Sequence, residues 1–311
     1  MKAPGYLIIT IIITVIGLVC SCAHRGPSVE PVISPATQPI PELSNDACTR
    51  GYVEDLLVDK GLDRERVHSL INDPRMIFDS DFIERNIDFA RPKGPSKHPE
   101  FLEYNKKYVI KGKAFIRDNR DIFKMIKEKY EVSPEIITAI LILETRIGTY
   151  PQKYYAFRVY ANIALLSDPD VLALLREARG PGEPLLDDKE GIKKTLARGK
   201  WAAEELYNLI LLADEIKADP LEMRGSFGGA LGPAQFIPST FRKWGVDGDG
   251  NGEKNPFDLF DAMASTANLL KKSGWRENGT EKNNRTAIWL YNHSDVYVNT
   301  IMKLYRELLQ P

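Results

Sequence analysis

The sequence predicts a mainly α-helical protein. Apolar and charged residues alternate at helical spacing along most of the chain, whereas residues that favour strands are confined to short stretches, chiefly 154–160. The clearest helical patterns cover residues 49–57, 64–72, 106–130, 200–217, 256–273 and 296–309. Residues 168–199, which include Pro181 and Pro184, predict an irregular segment instead.

Composition excludes several kinds of protein. With 311 residues, 43% of them hydrophobic and 27% charged, the chain is long and apolar enough to bury a sizeable core. The 42 basic and 43 acidic side chains nearly cancel, so no surface for a polyanion is indicated. Nucleic acid is therefore not the expected partner.

The N-terminus has the features of an export signal. Lys2 precedes an apolar run at residues 6–19, which is too short to span a membrane comfortably but fits a signal peptide. The following residues, Val19-Cys20-Ser21-Cys22, resemble a bacterial lipobox, with Cys22 as the acyl acceptor. Stable anchoring needs more than one acyl chain, which bacterial lipoproteins supply. The alternative is a signal anchor with two incidental cysteines.

A proline-rich stretch follows and predicts a tether. The expected organisation is a signal peptide at 1–22, a tether at 23–46 and one folded domain at 47–311. Ala23 after the cysteine resembles lipoproteins sorted to the outer membrane, so we expect a periplasmic protein anchored there. Once Cys22 is acylated, Cys48 is the one remaining thiol and cannot form an internal disulfide.

Residues 133–148 combine helix signals with a single carboxylate inside an apolar run. Ser133 suits an N-cap, Pro134 the first helical position and Gly148 the stop after the helix. The residues between them are nearly all apolar, which predicts a helix buried on most sides. Glu144 lies near its C-terminal end.

This position would raise the pKa of Glu144. Burial among apolar groups disfavours the charged carboxylate, and so does the negative end of the helix dipole. A carboxylic acid with a raised pKa is suited to protonating a glycosidic oxygen near neutral pH. The structural alternative is a helix-end glutamate that forms an ion pair with a nearby arginine such as Arg146.

Three blocks, in order, resemble the membrane-bound lytic transglycosylase B family. The first is Glu144-Thr-Arg-Ile-Gly148 after the apolar helix. The second, at residues 225–240, contains the pattern G-x-x-G-x-x-Q-F, whose members are Gly229, Gly232, Gln235 and Phe236. The third is Tyr291-Asn292, followed by Tyr297. Residues 150–199 match the family poorly.

The resemblance implies a lysozyme-like core with an additional helical lobe and a small β-containing lobe. It also implies an enzyme that cleaves the β-1,4 bond between N-acetylmuramic acid and N-acetylglucosamine in peptidoglycan without hydrolysis, leaving a 1,6-anhydro end. Glu144 would act first as acid and then as base. By the same resemblance, sugar binding or orientation of the N-acetyl group falls to Ser226, Gln235, Tyr291, Asn292 and Tyr297.

Residues 247–258 have the spacing of an EF-hand calcium loop. Oxygen ligands fall on Asp247, Asp249, Asn251 and Asp258, with the backbone carbonyl of Glu253 at position 7 and a glycine at position 6. The departure is aspartate at position 12, where glutamate is usual. The alternative is a turn before a helix at Pro256, with Asp258 at the helix start. The transglycosylase B family carries a comparable loop, which favours a structural calcium ion.

The sequence leaves two other functions open. A muramidase would hydrolyse the same bond, and a non-catalytic lipoprotein of lysozyme-like fold would only bind the wall. A lone carboxylate favours the intramolecular route over hydrolysis, and the presence of all three blocks favours an enzyme.

Overall fold

The computed structural model describes residues 47–90, 102–180, 182 and 184–311. The predicted signal peptide, the tether and Cys22 lie outside the described residues, as do residues 91–101. Within the described part, no helix is both long and apolar enough to cross a membrane. The predicted mainly α-helical content is confirmed: the strands described form one two-stranded sheet.

The described chain divides into two compact units where the sequence predicts one domain. The first unit comprises residues 102–147 and 266–311, and the second comprises the other described residues. The boundary at residues 265 and 266 falls within helix α12 (Leu259–Lys272).

The first unit is built around one buried helix, α6 (Pro134–Thr145), whose apolar side chains from Ile136 to Ile142 are at most 2% exposed. Each buried isoleucine or leucine among them stabilises the fold by roughly 1.5 to 3 kcal/mol relative to an exposed one. The other helices that lie wholly in this unit are α4 (Lys107–Asp118), α5 (Arg120–Tyr130), α13 (Glu281–Tyr291) and α14 (Asp295–Leu309). Helices α4 and α14 pack directly on α6.

Gly112 permits the close approach of α4 to α6. A Cβ atom at this position would lie 2.9 Å from Ile142 Cδ1 and 3.1 Å from Thr138 Cγ2. A larger residue would require these side chains to shift, so the single glycine in the predicted helix 106–130 serves packing. That stretch was predicted as one helix, which is wrong. It breaks at Asn119, whose backbone N–H and side-chain amide both donate to the Phe115 carbonyl, at 3.1 and 2.9 Å.

The second unit is organised on α10 (Lys189–Glu215), a helix of 27 residues. The remaining helices of this unit are α1 (Ala47–Val58), α2 (Arg64–Ile71), α3 (Ser80–Ala90), α7 (Ala156–Ala164), α8 (Pro169–Arg179), α9 (Pro184–Asp187) and α11 (Pro238–Trp244), with a 3-10 turn at Leu165–Ser167. Helices α7 and α11 pack on α10, as does the 3-10 turn.

Two predictions for this unit are wrong. The strand expected at 154–160 is limited to β1 (Tyr154–Tyr155), because the residues after it form α7. The segment 168–199, expected to be irregular, contains α8, α9 and the start of α10. Its helices begin at side-chain caps: Asp168 accepts from the Asp170 amide, and Asp188 accepts from the Gly191 amide.

Strand β1 pairs in antiparallel fashion with β2 (Arg224–Gly225), so that Tyr154 lies opposite Gly225 and Tyr155 opposite Arg224. This short ladder fixes the start of the glycine-rich loop that follows β2.

Candidate active site

Glu144 is the second-last residue of α6 and is half-buried. The helix ends at Thr145 with Arg146 as its C-cap, so the turn that closes it comes before the predicted stop at Gly148. Arg146 takes the left-handed conformation (φ 56°) and Ile147 follows at φ 62°. Their amides close the helix by donating to Ile142 O at 3.1 Å and Leu141 O at 2.8 Å. Left-handed non-glycine residues, above all a β-branched one, carry strain, and here the strain lies directly after Glu144.

Tyr297, on α14, contacts the carboxylate directly. Its hydroxyl group donates a hydrogen bond to Glu144 Oε1 at 2.7 Å, and its side chain is only 3% exposed. Burial, followed by the charge of Glu144, holds the pKa of Tyr297 well above its usual value, so the phenol stays protonated and remains the donor.

The pKa of Glu144 is raised to about 7 because burial disfavours the charged form. The hydrogen bond from Tyr297 opposes this shift, since it stabilises the carboxylate. Among the described residues, Glu144 forms no salt bridge, so the alternative of an ion pair with Arg146 is not what the structure contains. The Arg146 guanidinium instead lies over the Tyr108 ring, 5.6 Å from its centroid.

The third sequence block lies in the same unit as Glu144. The rings of Tyr291 and Tyr297 are parallel within 6°, with centroids 6.4 Å apart, and Tyr291 forms a side-chain hydrogen bond with Thr266. Burial and the charge of Glu144 raise the pKa of Tyr291 well above its usual value. Asn292 is the C-cap of α13, its amide donating to Ile288 O at 3.2 Å. The structure therefore brings Glu144, Tyr291 and Tyr297 together.

The second block lies in the second unit, where it forms a tight loop. The Ser226 amide donates to Ala230 O at 2.9 Å, and Ser226 Oγ accepts from the Ala230 amide at 3.1 Å. Gln235 is held in the left-handed conformation (φ 54°), and its Nε2 donates to Gly232 O at 2.9 Å and to Gln152 Oε1 at 3.2 Å. Both side chains are half-buried, so each retains access to solvent.

Gly232 is required by this loop. Its φ is 66°, and a Cβ atom there would lie 1.8 Å from the Pro256 carbonyl oxygen. Backbone cannot move aside as a flexible side chain can, so the glycine of the sequence pattern holds the loop against residues 256–257.

In the predicted calcium loop, the carboxylate that lies beside Asp247 and Asp249 is Asp261, not Asp258 at position 12. Oxygen atoms of Asp247, Asp249 and Asp261 lie within 4.8 Å of one another. Asp261, in the first turn of α12, is fully buried and accepts from the amides of Gly248 at 2.6 Å and Asn255 at 2.7 Å. Burial, with the charges of Asp258 and Asp249, raises the pKa of Asp261.

The other predicted ligands have different contacts. Asp258 Oδ1 accepts hydrogen bonds from the backbone amides of Phe260 at 2.7 Å and Asp261 at 3.0 Å. Asp258 therefore caps the N-terminus of α12, as expected if residues 247–258 form only a turn before a helix. The Glu253 side chain forms an ion pair with Lys217 at 2.7 Å. The predicted calcium ligand, the Glu253 backbone carbonyl, takes no part in this pair. Asn251 donates from Nδ2 to Asp249 Oδ2 at 3.0 Å.

Sequence reasoning missed Asp261. The EF-hand pattern ends at position 12, and Asp261 stands three residues later, inside a predicted helix. The spacing of the loop alone could not select it, because the choice depends on how α12 folds back on the loop. The available signal was the shorter side chain at position 12, which left one ligand position poorly filled.

The chain matches the family model of the transglycosylase SLT domain over residues 44–284. This match covers well over half of the sequence, so the protein belongs to the transglycosylase SLT domain family. It is also 28% identical, over 244 residues, to the membrane-bound lytic murein transglycosylase B of Escherichia coli (strain K12), which covers 75% of this chain. The match spans 59% of the length of that relative.

Solved structures share the fold. The Escherichia coli lytic transglycosylase Slt35 in complex with calcium has a TM-score of 0.61 at 23% identity, covering 84% of this chain and 92% of that chain. Pseudomonas aeruginosa SltB3 in complex with NAG-anhNAM-pentapeptide has a TM-score of 0.61 at 18% identity, covering 82% of this chain and 77% of that chain. The predicted mainly α, lysozyme-like fold is confirmed.

Proposed function

We propose that this protein is a lytic transglycosylase that cleaves the bond between N-acetylmuramic acid and N-acetylglucosamine in peptidoglycan. The observation that carries the proposal is Glu144: a half-buried carboxyl with a pKa of about 7, hydrogen-bonded to Tyr297 and free of any salt bridge within the described residues. Membership of the transglycosylase SLT domain family and the name of the Escherichia coli relative support it.

A pKa near 7 suits a group that must both give and take a proton. At neutral pH about half of the Glu144 side chains would be protonated, which is close to the optimum for acid–base catalysis. Because Tyr297 donates to Oε1, the proton of the acid form is directed to Oε2, where it can reach a glycosidic oxygen. Tyr297 thus orients the acid.

The reaction balances without water. Protonated Glu144 gives its proton to the leaving 4-oxygen of N-acetylglucosamine as the bond from that oxygen to muramoyl C1 breaks. The carboxylate then takes the proton of the muramoyl C6 hydroxyl, whose oxygen bonds to C1 and closes the 1,6-anhydro ring. The N-acetyl carbonyl of the substrate stabilises the positive charge that develops on the sugar. One protein carboxylate is enough, unlike the pair that an ordinary glycosidase needs.

Sugar-binding roles are proposed for the other residues of the blocks. In the first unit these residues are Tyr291, Asn292 and Tyr297. The positions of the two tyrosines beside Glu144 support their assignment. In the second unit they are Ser226 and Gln235, which keep polar groups accessible on a loop of fixed shape.

The hydrogen bond from Tyr297 can be tested against its neighbour. In Tyr297→Phe the carboxylate loses a donor, so the pKa of Glu144 should rise further. The acid form is required first, so kcat/KM of the wild type should fall as pH rises through about 7. In the variant we expect this fall at a higher pH, and a rate reduced about 10-fold or more by the lost hydrogen bond.

Tyr291→Phe is the matched control, because the Tyr291 hydroxyl is bonded to Thr266 and not to Glu144. In Tyr291→Phe the fall of kcat/KM with rising pH should occur near the same pH as in the wild type, whatever the effect of the substitution on KM. Identical pH profiles for the two variants would contradict the assigned role of Tyr297.

We also propose a structural calcium ion in the loop. Aspartates 247, 249 and 261 supply the hard oxygen donors that calcium prefers, with further oxygens from Asn251 and the Glu253 carbonyl. The oxygen atoms of these three carboxylates lie within 4.8 Å of one another and Asp261 is fully buried, so their negative charges repel unless a cation is present. The calcium complex of Slt35 supports the choice of ion. Bound calcium would tie the loop to α12.

For location, we propose a periplasmic lipoprotein anchored to the outer membrane through Cys22. The lipobox-like sequence supports this, as does the membrane-bound relative. We expect Cys22→Ala to carry no acyl chains and to appear in the soluble fraction, yet to cut isolated cell wall as the wild type does. Mass spectrometry of the N-terminus and fractionation measure both. An acylated, membrane-bound Cys22→Ala protein would rule out this anchor.

A further inference from the structure

A shallow, open depression lies in the first unit, on helices α13 and α14. A cavity of about 420 Å³ is lined by Lys282, Arg285, Thr286, Trp289, Asp295 and Val298. None of the motifs that define the proposed active site includes these residues.

The cavity is built on one face of α13. Residues 282, 285, 286 and 289 follow the spacing of side chains that share a helix face. Tyr291 lies at helical spacing from Asn284 and Ile288, which are both buried. Tyr291 therefore lies on a different face of α13 from Trp289. A ligand on the Trp289 face would therefore leave the Tyr291 face free for the reaction.

The lining favours an anion next to an apolar or planar group. The Trp289 ring is half-exposed and is supported by His293, whose ring centroid lies 4.1 Å away in an edge-on arrangement. Arg285 Nη2 donates a hydrogen bond to Asn299 Oδ1 at 2.6 Å. Within the described part of the chain, the exposed Lys282 ammonium group has no ion-pair partner. Two cations face one carboxylate, Asp295, so the lining has a net positive charge.

We propose that this cavity binds the carboxylate-bearing peptide stems of peptidoglycan, at a position separate from the reacting bond. The choice of ligand rests on the proposed function. In a stem-bearing glycan strand the lactyl carboxyl of the muramoyl sugar is consumed in an amide bond, so the sugars are neutral. The stems carry the free carboxylates, which Lys282 and Arg285 can pair with while Trp289 covers the peptide. A second contact on the same polymer increases avidity without adding to the chemistry.

Binding to isolated wall sacculi tests the proposal, with every variant made in the full-length, non-cutting Glu144→Gln protein. Trp289→Ala and Lys282→Gln should each weaken binding about 10-fold, the scale of one lost charge-assisted or aromatic contact. Lys272→Gln is the matched control, because Lys272 is an exposed lysine of the same unit outside the cavity. It should bind like its parent. Melting curves show whether each variant is folded, and Lys282→Gln, at an exposed position, retains the test should Trp289→Ala not fold.

Sacculi stripped of their peptide stems give the second arm. On this probe the variants and their parent should bind equally, because the peptide and its carboxylates are gone and only the lactyl carboxylate of each muramoyl sugar is left. Unchanged binding of Lys282→Gln to intact sacculi, or an equal loss on stripped sacculi, would overturn the proposal. Cutting of intact sacculi by proteins that retain Glu144 is measured separately. If none of them cuts, the proposed function fails, while the binding comparison still decides the role of the cavity.

Discussion

Replacing Glu144 with glutamine should lower turnover of peptidoglycan by at least about 10²- to 10⁴-fold, the usual contribution of a general acid or base. Glutamine keeps the size of the side chain and can still accept the Tyr297 hydrogen bond, but it can neither give nor take the catalytic proton. The loss should affect both halves of the reaction, since one group serves as acid and as base. Turnover is measured as the yield of anhydro-ended fragments from isolated wall.

The same substitution should stabilise the fold at neutral pH. The pKa of Glu144 is raised in the folded state from 4.5 to about 7, so ionisation favours the unfolded chain as pH rises through this window. The wild type should therefore lose stability relative to Glu144→Gln between pH 4.5 and 7, with a difference of about 1 to 3 kcal/mol above pH 7 and little below pH 4.5. Melting curves across this range measure it. A structural ion-pair role for Glu144 would give the opposite pattern: lower stability with turnover largely kept.

Calcium should raise the melting temperature of the wild type by about 5 to 10 °C at roughly 100 times its dissociation constant, if the ion binds only the folded chain. Asp261→Asn should abolish this response, because it removes the buried charge that completes the cluster. Asp247→Ala should do the same.

Asp258→Asn separates the two possible ligand sets. The Asp258 carboxylate caps α12, so its replacement should lower stability by about 1 kcal/mol or less while the calcium response persists. Loss of the calcium response in Asp258→Asn but not in Asp261→Asn would show that Asp258, at position 12 of the loop, is the ligand and Asp261 is not. A melting curve indifferent to calcium and chelator, in protein shown to be metal-free, would exclude the ion altogether.

The local signals in the sequence explain where prediction succeeded. Pro134 and the apolar run 136–142 specify α6 by themselves, and the burial of that run follows from its composition. Long-range features were less accessible. The sequence indicates a raised pKa for Glu144, but the contact with Tyr297 joins residues 153 positions apart. The break at Asn119 depends on a side-chain cap inside a clear helical pattern. The helices in 168–199 begin at side-chain caps although the sequence pattern there is irregular. Asp261 required the fold of α12 on the loop.

The mass of the fragments released from isolated wall by the soluble wild-type protein tests the central claim most directly. Intramolecular closure by the C6 hydroxyl predicts muramoyl ends in the 1,6-anhydro form, lighter by one water than hydrolysed ends. Fragments that instead carry reducing muramoyl ends, with oxygen from labelled water, would identify a muramidase and contradict the non-hydrolytic mechanism.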